Sequence, residues 1–146
     1  MLKKRAADRP KRAVSNKNET ASSTVALPRR GNLFVKRIYE DRSPEDGYRI
    51  LVDRLWPRGI KKERAHIDLW LKEVAPSESL RKWFNHEAEK WGEFKGRYFK
   101  ELGQKPNFVE QLFPYVKKGK VTFLFSAKNE THNNAVALRE YFLNHS

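Results

Sequence analysis

The run Tyr48-Arg49-Ile50-Leu51-Val52-Asp53 constrains this chain more than any other segment. It has the length of a strand and an unbroken apolar centre. A strand with one wet face alternates polar and apolar residues, whereas a run like this one is covered on both faces, as in a parallel or mixed sheet. Helices must therefore pack against the sheet, and the rest of the chain supplies candidates for them.

Leu33 to Tyr39 (LFVKRIY) has the β-branched and aromatic content of a preceding strand. Between the two lies Ser43-Pro44-Glu45-Asp46-Gly47, where Ser43 can cap one helical turn with Pro44 at its first position. A link of about eight residues is short for a parallel crossover, so a compressed crossover and an antiparallel pair are both open. Leu69, Trp70, Leu71 and Val74 form an apolar patch, and Ser77 caps a short helix carrying Leu80, Trp83 and Phe84. Trp91, Phe94, Tyr98 and Leu102 fall at helical spacing and predict a long helix from about Glu87 to Leu102, with Trp83, Trp91 and Phe94 in the core. Phe108, Val109, Leu112, Phe113 and Val116 continue as a helical stripe that Pro114 bends and Gly119 ends. Val121 to Ser126 is a third strand, and a final helix turns Ala135, Leu138 and Phe142 inward. The order predicts a single α/β domain, a small parallel or mixed sheet flanked by helices, with room for a fourth strand in irregular sequence.

Charge divides the chain in two. Residues 1–31 hold nine Lys/Arg against two Asp/Glu and read as a disordered basic tail, because like charges repel and little there can be buried. Residues 32–146 form the folded part and hold 22 Lys/Arg against 16 Asp/Glu. A formal net charge of +13 favours encounter with polyanions such as nucleic acid. The chain has no cysteine and no long apolar run, so disulfides are excluded, no membrane partner is expected, and a reducing, cytoplasmic setting is expected.

In open α/β sheets ligands bind beyond the carboxyl ends of the strands. Two loops leave such ends here. In Asp53-Arg54-Leu55-Trp56-Pro57-Arg58-Gly59, the arginines suit phosphate or carboxylate, Asp53 suits acid–base work, and Trp56 offers a face for a base or sugar. The competing reading is an Asp53–arginine salt bridge that locks a turn over a core tryptophan. In Ser126 to Asn134, Lys128 adds charge in front of a helix N-terminus, Asn133 is a cap or a ligand contact, and His132 is placed for proton transfer. Four scattered histidines give no metal-ligand spacing, so no metal site is expected, and no motif names a cofactor.

The segments YRILVDRLWPRGIKKE (48–63), LWLKEVAPSESLRKWF (69–84) and VTFLFSAKNETHNNAVAL (121–138) are similar to the YeaO-like family of small bacterial proteins, within a larger domain-of-unknown-function group. The resemblance covers roughly 33–143 and implies a small cytoplasmic α/β protein with no assigned reaction. It implies weight on the same two loops: Asp53, Arg54, Trp56, Pro57, Arg58 and Gly59, then Ala127, Lys128, Asn133 and Ala135. Where the family resembles Asn-His-Ala, this chain reads Asn133-Asn134-Ala135, with its histidine at His132, so the resemblance lends a histidine mechanism no support.

Three functions follow as expectations. The first is a strand-end site for a small anionic ligand such as a nucleotide, with Arg54, Trp56, Arg58, Lys128 and Asn133 binding and Asp53 and His132 available for catalysis. The second is a nucleic-acid-binding accessory protein using the basic tail and surface. The third is a protein-interaction module in which the loop motif is architectural.

Overall fold

A computed structural model describes residues 32–145, the side chain of His145 excepted. The expected tail, residues 1–31, lies outside the described residues. Four strands, β1 (Leu33–Arg37), β2 (Tyr48–Leu51), β3 (Leu69–Trp70) and β4 (Val121–Phe125), form one sheet in the order β1-β4-β2-β3. Every pairing is parallel. The first two strands are therefore not neighbours at all. β4 lies between them, with Val121 opposite Leu33 on one side and Tyr48 on the other. The short link passes over one end of β4, and Thr122 Oγ1 donates to Asp46 O at 2.7 Å as it does so. Its capped turn forms as expected, with Ser43 accepting from Glu45 N at 3.1 Å.

The fourth strand is the two-residue β3 inside the apolar patch. The helices are α1 (Lys62–Ala65), α2 (Glu78–Phe84), α3 (Trp91–Gly103), α4 (Pro106–Glu110), α5 (Phe113–Lys118) and α6 (Asn134–His145). Ser77 caps α2, accepting from Leu80 N at 3.2 Å. The long helix starts at Trp91, the first residue of its stripe, rather than at about Glu87, behind a 3-10 turn at Ala88–Lys90. Pro114 splits the next stripe into α4 and α5 by occupying the first turn of α5, where its missing N–H costs nothing.

The two faces of the sheet differ. Leu33, Ile50, Val52, Val121, Phe123 and Phe125 face the main core, which α2 to α6 close with Phe94, Tyr98, Leu102, Leu138 and Phe142. Trp83 and Trp91 pack against that core from half-buried positions, while Phe94 is buried. The opposite face is covered by a thin ribbon, the β2–β3 crossover, whose Trp56, Ile60 and Ile67 join Trp70 over Leu51, Leu124 and Ile38. This face also holds a buried charge cluster that strand patterning concealed. Arg49 Nη1 reaches Asp46 at 2.5 Å, Lys36 Nζ reaches it at 3.0 Å, and Arg49 Nη2 and Nε donate to the carbonyls of Ala65 and His66 at 3.1 and 2.9 Å. The cluster ties the β1–β2 link to the end of α1. No helix among the described residues is long and apolar enough to cross a membrane.

Candidate functional site

Beyond β2 the chain turns onto the ribbon face, and beyond β4 it turns into α6 on the helical face. The gap between these two adjacent strand ends is the switch point at which α/β sheets bind ligands. In this protein Asp53 fills it. Its Oδ2 accepts from Ser126 N at 2.9 Å and Ser126 Oγ at 2.8 Å, and its Oδ1 accepts from Asn134 Nδ2 at 3.0 Å. The same Asn134 amide donates to Val52 O at 3.1 Å. Burial raises the Asp53 pKa, against the pull of the Ser126 and Asn134 hydrogen bonds and the positive charge of Arg81. The carboxylate joins β2, β4 and α6.

Arg54 turns away from Asp53 to the carbonyls of Ala75 and Pro76, at 3.2 and 3.3 Å. Lys105 Nζ joins it there, donating to Glu73 O at 3.0 Å and Ala75 O at 3.3 Å, and burial followed by the neighbouring Arg54 charge lowers its pKa. Trp56 sits edge-on to Trp70 with centroids 5.5 Å apart and donates its indole N–H to Ile60 O at 2.6 Å. Pro57 is buried, and Gly59 takes a φ of +80° that disfavours side-chain-bearing residues. Asp53, Arg54, Trp56 and Pro57 are thus all engaged by the fold.

Leu55 and Arg58 are different. Leu55 is 65% exposed. The Arg58 carbonyl accepts from Tyr39 Oη at 2.7 Å, and its guanidinium is exposed with no ion-pair partner among the described residues.

The second loop is locked internally. Asn129 Oδ1 accepts from the N–H groups of Thr131 and His132, both at 2.9 Å. Asn133 is buried as the cap of α6, accepting from Val136 N at 3.0 Å and donating to Asn129 O at 2.9 Å. His132 Nδ1 lies 2.7 Å from Thr131 Oγ1, and its ring meets Trp91 edge-on with centroids 4.9 Å apart. Lys128 is exposed and unpaired among the described residues. Beside it Arg37 Nε donates to Ala127 O at 2.9 Å, with its guanidinium over the Tyr39 ring.

The edge therefore brings Asp53, Ser126 and Asn134 together, directs Arg54 and His132 elsewhere, and leaves Arg58 and Lys128 in solvent. The sequence reading omitted Ser126 as a partner of Asp53, and it omitted Arg81. Arg81 follows the inward Leu80 on α2 and reads as an ordinary surface cation, yet it is exposed while its charge acts on Asp53. Among the described residues, no group of three or more His, Asp or Glu could hold a metal ion.

Comparisons with known proteins agree on one family. The model of DUF488-N3i, described as the inactive DUF488-N3 subclade, matches residues 32–146. The uncharacterized protein YeaO of Escherichia coli (strain K12) is 46% identical over 110 residues, covering 75% of this chain and 96% of that protein. The uncharacterized proteins Rv3073c of Mycobacterium tuberculosis and Mb3100c of Mycobacterium bovis are each 38% identical over 114 residues, covering 78% of this chain and 96% of theirs. No solved structure matches. The chain belongs to the DUF488-N3i family and is YeaO-like across its folded part.

Proposed function

We propose that this domain binds a small anionic ligand at the carboxyl edge of its sheet without transforming it. One observation carries the reading: the groups suited to proton transfer are tied into the fold, while cations suited to an anion are free. Asp53 has both oxygens occupied by Ser126 and Asn134, and the His132 ring is held between Thr131 and Trp91. Arg58 and Lys128, in the two loops, and Arg81, whose charge acts on Asp53, are exposed and form no ion pair among the described residues. Leu55, exposed in the same loop, adds an apolar surface of the kind that a base or sugar face contacts. The description of the family as an inactive subclade supports binding over catalysis.

The test is thermal unfolding of the full chain with pyrophosphate or a nucleoside triphosphate against chloride at matched ionic strength. Ligand at 100 times its Kd stabilises by about 2.7 kcal/mol, which reads as a higher Tm. An Arg58→Ala, Lys128→Ala double variant is expected to keep the parental Tm without ligand and lose the rise. No rise in the parent, or an undiminished rise in the variant, overturns the reading.

A further inference from the structure

The cations of this domain are not distributed evenly between paired and unpaired. On α2, α3 and the 3-10 turn between them, Lys82, Lys90, Lys95 and Arg97 face carboxylates, from Glu78, Glu87, Glu140 and Glu93, while Arg81 and Lys100 form no ion pair among the described residues. On the β2–β3 crossover the pattern reverses. Arg58, Lys61, Lys62 and Arg64 are exposed within seven residues, Glu63 is the one acid among them, and no ion pair forms there among the described residues. Lys61 is the extended residue before α1, and Lys62 and Arg64 lie on its single turn.

The segment is nevertheless rigidly held. Ala65 is buried, Ile60 and Ile67 pack over Leu51 and Leu124, and Arg49 grips the carbonyls of Ala65 and His66 from beneath. Cations on an anchored turn meet a ligand with little ordering cost. We infer that the crossover from Arg58 to Arg64 is a surface that follows the phosphate backbone of a nucleic acid. It extends the anion-binding edge onto the ribbon face and rests on that reading only through Arg58.

Three features select this class of polyanion. Four cations strung along seven residues suit a repeating charge better than one small anion. Stable docking on anionic membrane needs apolar side chains to insert, and docking on an acidic protein needs an apolar or aromatic anchor. Residues 59–66 expose no large hydrophobic side chain of their own; exposed Tyr39 and Leu55 lie only at the Arg58 end of the segment. Lys62 lies 5.9 Å above the half-buried Trp56 ring, so its departure to a phosphate uncovers a face on which a base can stack.

The experiment is fluorescence anisotropy of the full chain with labelled single-stranded and duplex DNA of about 20 nucleotides over a salt series. The variants are Lys61→Glu with Arg64→Glu, and Lys61→Gln with Arg64→Gln in case charge reversal lowers the Tm. Each lost contact reduces the slope of log K against log salt by about 0.9 on duplex or about 0.7 on a single strand, so two contacts remove about 1.4 to 1.8. Binding that is absent at low salt, or that keeps its slope in both double variants, overturns the inference. So does capture by anionic phospholipid vesicles with none by DNA. If the pyrophosphate response persists while the DNA slope is unchanged by the crossover variants, the inference fails and the small-anion reading stands. Loss of the pyrophosphate response in the parent removes that reading instead.

Discussion

Asp53 and Arg58 lie five residues apart in one motif and do opposite things. Asp53 accepts three hydrogen bonds in a desolvated gap, so removing it strands three donors. Asp53→Ala is expected to lower unfolding free energy by about 2–4 kcal/mol in denaturant titration. Arg58→Ala, at an exposed guanidinium, is expected to stay within about 0.5 kcal/mol of the parent. Sequence alone located both residues but not this division. The partners of Asp53 are 73 and 81 residues away, beyond the reach of any local pattern. Trp56 shows the same limit, because a tryptophan beside arginines reads equally as a stacking surface or as core, and only the fold shows that it packs on Trp70 while Lys62 lies over its ring.

Among the elements, whatever depends on neighbours in sequence was legible. The Phe94, Tyr98 and Leu102 stripe is buried, Ser77 caps α2, and Ala135, Leu138 and Phe142 turn inward. The two-residue β3 and the strand order were not, since both are set by what pairs across the sheet. Nor was the cluster of Lys36, Asp46 and Arg49, because a charged residue within a strand ordinarily marks a wet face. Burial pushes the Asp46 carboxyl up, but hydrogen bonds from Ser43 N, Lys36 and Arg49 outweigh it and hold the pKa below its ordinary value of 3.8. A carboxyl lowered in the folded state contributes stability above its unfolded pKa and loses it as pH falls through the folded value. Melts below pH 3.8 are therefore expected to show an acid limb that flattens in Asp46→Asn. That variant also loses about 3–5 kcal/mol at neutral pH, by stranding the buried Arg49 charge. An unaltered acid limb would show that the cluster does not set it. Asp53, whose pKa is raised, works the other way: its contribution declines as pH rises from 3.8 through the folded value.

At the scale of the molecule, both partners of β4 come from the first half of the folded part, whereas β4 itself begins at Val121. A chain ending before Val121 keeps β1 and β2 but lacks the strand that each pairs with, and it also lacks α6. It is expected to show no cooperative thermal transition by circular dichroism and little amide protection in hydrogen exchange. A sharp melt in such a fragment would show that α2 to α5 form a core of their own. Pairings this distant in sequence are slow to close, which places folding toward the millisecond-to-second range.

The late central strand also bears on the life of the protein in a cell. A product cut short before Val121 lacks the strand that pairs with both β1 and β2 and is expected to have no smaller folded state to fall back on. Such fragments are expected to be substrates for proteases and chaperones rather than partly working copies. The staple between Asp53, Ser126 and Asn134 thus does more than shape a loop. It closes only once Asn134 has been made, so the edge proposed to meet an anion is expected only on chains that include the start of α6.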